Sequence, residues 1–363
     1  MLAGHVGMRL RQVVHHPGES LSSWLVRSSL FYGCDPLSLA SCIWGNWRPW
    51  TRDIDRGLSE KHLDEVVKWS GLSAVDITAM TLPSRTGCIN SSSRSELADN
   101  TDWILPLSIR NRTCLNGYQY CPLCLEESES SFFRLDWRFS FSTACLDHLC
   151  LYRRTCSHCH VPVQFPRLSA RHPGIAYCFN CDRALYEATP QLVPESALHF
   201  QRTALWATEQ CHALSGTSRV TSQEWFSLCS YYIRLMRVAS GRSEGRLARM
   251  LAGLGIQIPA GQTSLVPFEQ LSAENRLCYF EAILPLLEHG LTCLPGLARE
   301  SNLNRNTLLN CRLSPPEILA TLLRSLPVRP VIRQTRSQPR LLAPHSRRAV
   351  LRHLEQLLSV VVK

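Results

Sequence analysis

The sequence predicts a mainly α-helical chain with two small cysteine-rich modules at its centre and helix-turn-helix-like regions towards both ends. Three observations carry this reading. Apolar residues recur at spacings of three and four on either side of the centre, the period of helices buried on one face. Four ligand-type pairs, Cys121-Pro-Leu-Cys124, Cys145-Leu-Asp-His148, Cys156-Ser-His-Cys159 and Cys178-Phe-Asn-Cys181, crowd into 61 residues. Turn-rich stretches at 84–101 and near Pro190 and Pro194 set that centre apart.

In chain order, residues 1–8 are a tail and 9–105 an N-terminal helical region. Residues 19–33 form a helix with Leu21, Trp24, Leu25, Ser28 and Phe31 on one face and Gly33 as its stop. Residues 59–82 are two short helices around a Gly-Leu-Ser turn. Leu63, Val66, Val67 and Trp69 line the first; Ser73 and Asp76 form a capping box for the second, which carries Ile77, Met80 and Leu82. A DNA-binding helix-turn-helix and a plain helical core share this pattern. The cysteine-rich modules fill 106–190. A helical region, 191–290, follows with helices at 196–214, 222–239 and 267–289.

The last segment, 291–363, again reads as helix, turn and helix. Leu297 and Ala298 face the core, Asn302-Leu303-Asn304 turns, and Leu308 and Leu309 pack back. Arg305, Asn306 and Thr307 then begin a recognition helix near base edges or phosphates; a structural helical hairpin satisfies the same pattern. Ser314-Pro-Pro-Glu317 starts another helix, with Ser as N-cap and Pro at the first position. Residues 326–346, rich in Pro and Arg and free of acid, read as an extended basic linker in which Arg333, Arg336 and Arg340 are further candidates for nucleic-acid contact. A final helix spans 347–362.

Each ligand pair sets two donors three residues apart, the spacing at which a tight turn aims both at one ion. The intervening 20 and 18 residues suit ribbon- or treble-clef-like zinc modules with short β segments. The pairs can combine sequentially, cross-braced or nested. Sequential pairing closes the shortest loops at least entropic cost and is favoured. It groups Cys121, Cys124, Cys145 and His148 around one Zn2+, and Cys156, Cys159, Cys178 and Cys181 around a second. Cys150, His158 and His160 lie close enough to replace His148.

Both sets are filled to four, leaving no position for water or substrate, so two structural ions are expected rather than a catalytic one. No His-x-Glu precedes the Cys-x-x-Cys motifs, and no phosphate-binding Gly-rich loop, Gly-x-Ser-x-Gly or carboxylate cluster is present. A non-enzymatic protein follows. The start, Met1-Leu-Ala-Gly-His-Val-Gly-Met8, lacks a signal-peptide pattern, and no run approaches the roughly 18 uninterrupted apolar residues of a membrane span. A cytoplasmic protein is therefore expected, its ten cysteines outside the pairs being reduced, mostly buried thiols. The formal charge of +10 falls to about +7 once the thiolates of both sites are counted against their ions. Thirty-six of the 39 basic residues are arginine, which suits phosphate and carboxylate partners, although GC-rich coding inflates arginine in the same way.

Tyr120-Cys121-Pro122-Leu-Cys124-Leu125, Phe133-Arg-Leu-Asp-Trp137-Arg138, Cys145-Leu-Asp-His148 and Cys156-Ser-His-Cys159 together resemble the signature of TniQ-family transposition proteins. Glu19-Ser-Leu-Ser-Ser-Trp24-Leu-Val-Arg27 is similar to that family's N-terminal helix, and the resemblance covers about residues 10–185. It implies a target-selection adaptor, a homodimer of the bacterial cytoplasm and, when engaged, the nucleoid. Such an adaptor links a CRISPR effector complex with guide RNA (Cascade-type), or target DNA, to the transposon's AAA+ ATPase regulator and transposase. The chain is shorter than direct attachment-site binders usually are, which favours the RNA-guided or a simpler element-encoded branch. Trp137 is expected as core packing between the modules. A stand-alone, sequence-specific zinc-containing DNA-binding protein, either attachment-site binder or transcription regulator, is the alternative.

Overall fold

The N-terminal helices form where their caps and apolar spacing place them. In α1 (Leu21–Phe31) the Ser20 hydroxyl accepts from the Ser23 amide, and Gly33, at φ 67°, turns the chain away. Helix α2 (Pro36–Trp44) opens on a proline at its first position. Helices α3 (Glu60–Ser70) and α4 (Ala74–Ala79) are separated by Gly71 in the left-handed conformation, and the Ser73–Asp76 capping box is formed. Leu21, Trp24, Leu25, Leu39, Ile43, Val66, Ile77 and Met80 close one core, with Trp69 set edge-on to Trp24 at 6.0 Å. The structure, a computed structural model, describes residues 13–89, 103–107, 117–241, 244–259, 266–305, 308 and 315–327. Contacts divide the chain into a unit ending at Pro327 and a second, 328–363, outside the described residues.

The central block has little regular structure. Helix α5 (Pro83–Thr86) occupies the start of a stretch expected to be loop, because Pro83 begins a single helical turn. Helix α6 (Pro122–Glu127) carries the first ligand pair. Beyond it the chain runs through turns joined by isolated bridges, among them Tyr120 with Arg153, Ala144 with Leu151, Thr155 with Pro162 and Tyr177 with Ala184. Aromatic residues supply the packing: Tyr120, Phe133, Trp137, Tyr152 and Phe165 share one buried cluster with the ligand cysteines. Trp137 lies edge-on to Phe133 at 5.7 Å and against Tyr152 at 5.8 Å, in the core as expected.

One buried charge network ties this block to the N-terminal helices. Arg138, 2% exposed, donates to Asp53 at 2.7 and 3.0 Å, to Asp55 at 2.5 Å and to the Leu105 carbonyl at 3.1 Å. Asp55 also accepts from the Ser22 amide and hydroxyl, both at 2.8 Å. Burial works against the charge on Arg138, but the carboxylates of Asp53 and Asp55 hold the guanidinium above its ordinary range.

The C-terminal part is a helical layer. Its helices are α7 (His199–Gln210), α8 (Ser222–Ser240), α9 (Arg246–Gly253) and α10 (Ala273–Glu300). A hairpin of β1 (His212–Ser215) and β2 (Ser218–Thr221) lies between α7 and α8. The expected helix over 196–214 is corrected accordingly: Cys211 takes the left-handed conformation and ends α7. Gly216, at φ 60°, makes the hairpin turn, and a Cβ there would strike the Glu288 carbonyl. Helix α10 is also longer than the expected 267–289, continuing through Pro285 and Pro295. Its Gly290 admits the Tyr232 hydroxyl, which would stand 2.6 Å from a Cβ. By length and composition α10 could cross a membrane, but half of its apolar window is buried, as in a core helix packed on α8. Arg276 of α10 reaches back to the Ser140 carbonyl and, at 3.0 Å, to the Gln119 side chain.

The last turn of α10 gives way at Ser301, Asn302 takes φ 51°, and Arg305 and Leu308 have helical backbone. Leu303 and Leu308 are buried in the main core. Helix α11 (Glu317–Leu323) starts three residues beyond Ser314, with Pro316 at its cap. Asn306, Thr307, Leu309, Ser314, the three linker arginines Arg333, Arg336 and Arg340, and the last helix fall outside the described residues. The expectation of reduced, mostly buried cysteines outside the pairs is corrected: Cys42, Cys278 and Cys293 are exposed. Cys88 and Cys211 stand as a disulfide with Cα atoms 5.0 Å apart, brought together where α5 packs on α7.

Candidate metal centres

Three of the four ligand pairs are built by the same turn. At Cys145, Cys156 and Cys178 the first ligand's amide donates to the carbonyl five residues on (Cys150, Val161, Arg183). The residue four on (Leu149, His160, Asp182) donates back to the ligand's carbonyl. Those three residues all take positive φ, 49°, 58° and 59°, without being glycine. A left-handed residue there costs about 1–2 kcal/mol. The turn bends both ligands of a pair to the same side. The fourth pair uses a helix end instead: Cys121 caps α6, its sulfur accepting from the Cys124 amide at 3.4 Å.

These turns bring the eight residues into two groups, Cys121, Cys124, Cys145 and His148, and Cys156, Cys159, Cys178 and Cys181. Within each, the donor atoms lie within 4.8 Å of one another. Donors about 2.3 Å from a tetrahedral ion would stand roughly 3.8 Å apart. In the first group His148 Nδ1 lies 3.3–3.5 Å from all three sulfurs, and Cys124 is 3.5 Å from Cys145. In the second, Cys156 is 3.6 Å from Cys181 and Cys159 is 3.6 Å from Cys178. Both groups fit a small ion such as zinc.

The thiols of each group share protons with one another. Hydrogen bonds from Cys124, Cys145 and Cys150 hold Cys121 far below the ordinary thiol range, and the same sharing pushes Cys124 far above it. In the second group burial raises Cys159, but the Val161 amide and neighbouring donors outweigh it and bring the thiol to about 7. Cys178 is pushed up to about 12, by burial first. A bound cation is what allows such crowded sulfurs to ionise together.

One residue that the sequence left aside supports the first centre. Glu127 Oε2 sits 2.9 Å from His148 Nε2, so the imidazole is gripped from behind while Nδ1 faces the sulfurs. Its position three residues after Cys124 on one helix was the available signal. Cys150, weighed above as a replacement ligand, instead approaches Cys121 alone at 3.5 Å, where its fully buried thiol can donate to that sulfur. Replacing Glu127 by Ala should weaken metal binding at the first centre about 10–100-fold and spare the second. Chelator competition followed by metal analysis reads this directly, and equal loss at both centres would contradict it.

Residues 10–151 match the family model for TniQ. The chain carries a TniQ domain over that stretch. No curated protein matches it. The TniQ match takes in α1, the Arg138 network and the whole first centre, and stops before Cys156. The second centre, which the resemblance had been expected to include, lies beyond it. A TniQ domain points to a transposition-associated adaptor role. Of the residues expected to meet nucleic acid, only Arg305 is described. It is half buried, and its amide donates to the Pro327 carbonyl at 3.1 Å.

Proposed function

We propose that this chain is a non-enzymatic target-selection adaptor. It links a target-site complex, an RNA-guided CRISPR effector or target DNA itself, to the transposon's AAA+ ATPase regulator and transposase. The TniQ match over 10–151 carries the reading. The two groups of four donors support it, because each would enclose a zinc ion with no place for water or substrate. In this reading the two centres are ribbon- or treble-clef-like modules, and their ions are structural. They hold a docking block between the helical regions at 9–105 and 191–290, with the helix-turn-helix-like segment 291–363 beyond. The working form is a homodimer in the bacterial cytoplasm.

Immobilised metal-loaded protein should capture the ATPase regulator encoded beside it, and a Cys121→Ala/Cys124→Ala variant should not. Full capture by metal-free protein would overturn the reading. Tight, sequence-specific duplex binding without any ATPase capture would favour the stand-alone DNA-binding alternative. Co-purification of a guide-RNA complex would separate RNA-guided from direct targeting.

A further inference from the structure

The loop from Gly45 to Ser59, between α2 and α3, holds three arginines and two aspartates. On composition it is nearly neutral, but the structure separates its charges. Asp53 and Asp55 turn inward onto Arg138, and Arg56 is held beside Asp53 at 3.2 Å. Arg48 and Arg52 flank the three-ten turn Pro49–Thr51 and are exposed, as is Lys61 at the start of α3. None of these three has an ion-pair partner among the described residues. The outer face is therefore cationic because the carboxylates are used inside.

Beside these cations is a fixed stack of rings. Trp47 lies flat on the His62 imidazole, with centroids 3.8 Å apart and planes 13° from parallel. His62 is held by Ser59 Oγ at 2.7 Å from Nδ1 and by its carbonyl, which accepts from Trp44 Nε1 at 3.0 Å. Trp44 also meets Trp47 edge-on at 5.0 Å. Trp47 and His62 are only partly buried, so the stack reaches the surface. The exposed acids of α3, Glu60 and Asp64, are each two residues from His62, roughly 160° round the helix. Glu65, on the His62 side, has its Oε2 buried.

We propose that this face binds an unpaired stretch of polynucleotide, with backbone phosphates on Arg48, Arg52 and Lys61 and a base against the Trp47–His62 stack. Unpaired bases stack on aromatic rings whatever their sequence, and arginine beside the ring grips the phosphodiester, whereas a duplex keeps its base faces covered. This deepens the adaptor reading by assigning the surface that meets the nucleic-acid part of a target complex. It rests on that reading only for where the strand comes from.

The test is fluorescence anisotropy with the full, metal-loaded chain and 20-nucleotide probes: single-stranded RNA, single-stranded DNA of the same sequence, and duplex DNA. Single strands should bind more tightly than duplex. Arg48→Glu/Arg52→Glu should weaken binding at least ten-fold, and Arg48→Ala/Arg52→Ala should flatten the log–log salt slope by about 1.4, or 0.7 for each lost phosphate. Reversing the exposed Arg219 and Arg249 should change neither. Trp47→Ala should cost roughly ten-fold and Trp47→Phe much less, with thermal melting to confirm that both variants fold. Tighter RNA binding identifies a guide RNA as the source; equal or tighter DNA binding identifies an opened target strand. Duplex preference, no binding, or indifference to Arg48 and Arg52 overturns the proposal. If ATPase capture survives while strand binding is absent, this surface falls and the adaptor reading stands.

Discussion

Stripping metal from the folded protein is expected to dissolve the central block. The ligand cysteines Cys121, Cys145, Cys156 and Cys178 are themselves part of the buried cluster that holds Tyr120, Trp137 and Phe165, and the connecting chain has almost no helix or sheet of its own. Without ions, seven thiols and an imidazole would have to share protons at 3.3–3.6 Å, while the left-handed residues Leu149, His160 and Asp182 would keep their backbone cost. Structural zinc supplies about 10–16 kcal/mol per site in small domains, more than the stability of most whole domains. The purified protein should carry two equivalents of zinc. Cys121→Ser/Cys124→Ser should lose one and Cys156→Ser/Cys159→Ser the other. Chelation should abolish the near-ultraviolet signal of the buried aromatics and lower the melting temperature sharply. An unchanged melt after complete chelation would remove the structural role assigned to both centres.

Arg138→Met should cost about 3–5 kcal/mol, among the largest losses available to a single substitution outside the metal centres. The guanidinium is the partner of two carboxylates, and removing it leaves Asp53 and Asp55 charged in the interior. Burial already raises the Asp55 carboxyl above its ordinary value, with Arg138 as the largest opposing influence. In the variant that upward shift should grow. A carboxyl raised in the folded state binds a proton more readily there than in the unfolded chain, so it favours folding at low pH and loses that advantage as pH rises through the folded value. The deficit relative to the parent should therefore be greatest near neutral pH and shrink on acidification. Urea unfolding at two pH values checks both size and sign. Arg138→Met combined with Asp53→Asn and Asp55→Asn should recover much of the loss, since no buried charge is then left unpaired. A deficit that widens on acidification would refute this account.

What could be read in the sequence was local. The grouping of the eight ligand residues follows from spacing, because a pair three apart needs one turn and the shortest loops close first. The α1 stop at Gly33 and the Ser73–Asp76 box were legible for the same reason. Whether His148 or Cys150 faces the other sulfurs was not, because the two are only two residues apart and a turn decides between them. The hairpin at 212–221 escaped because Ala213 and Val220 are its only fully buried apolar residues, too few to declare a period of two. The expected helix ended at 289, yet α10, packed on α8, runs on through Pro295 to Glu300. The Arg138 network joins residues more than 80 apart, and composition cannot announce that pairing.

The aromatic rings at Trp103 and Phe141 have a consequence for how the TniQ region should be understood. They belong to the family-matched stretch, but they pack against Phe226, Phe268 and Phe280 of the helical layer beyond it, and Arg276 from that layer ends on Ser140 and Gln119. The segment that evolution shares among relatives is thus not one that could be excised: cut after residue 151, it would present a greasy, half-built wall to water. Its edge in an alignment is not an edge in energy.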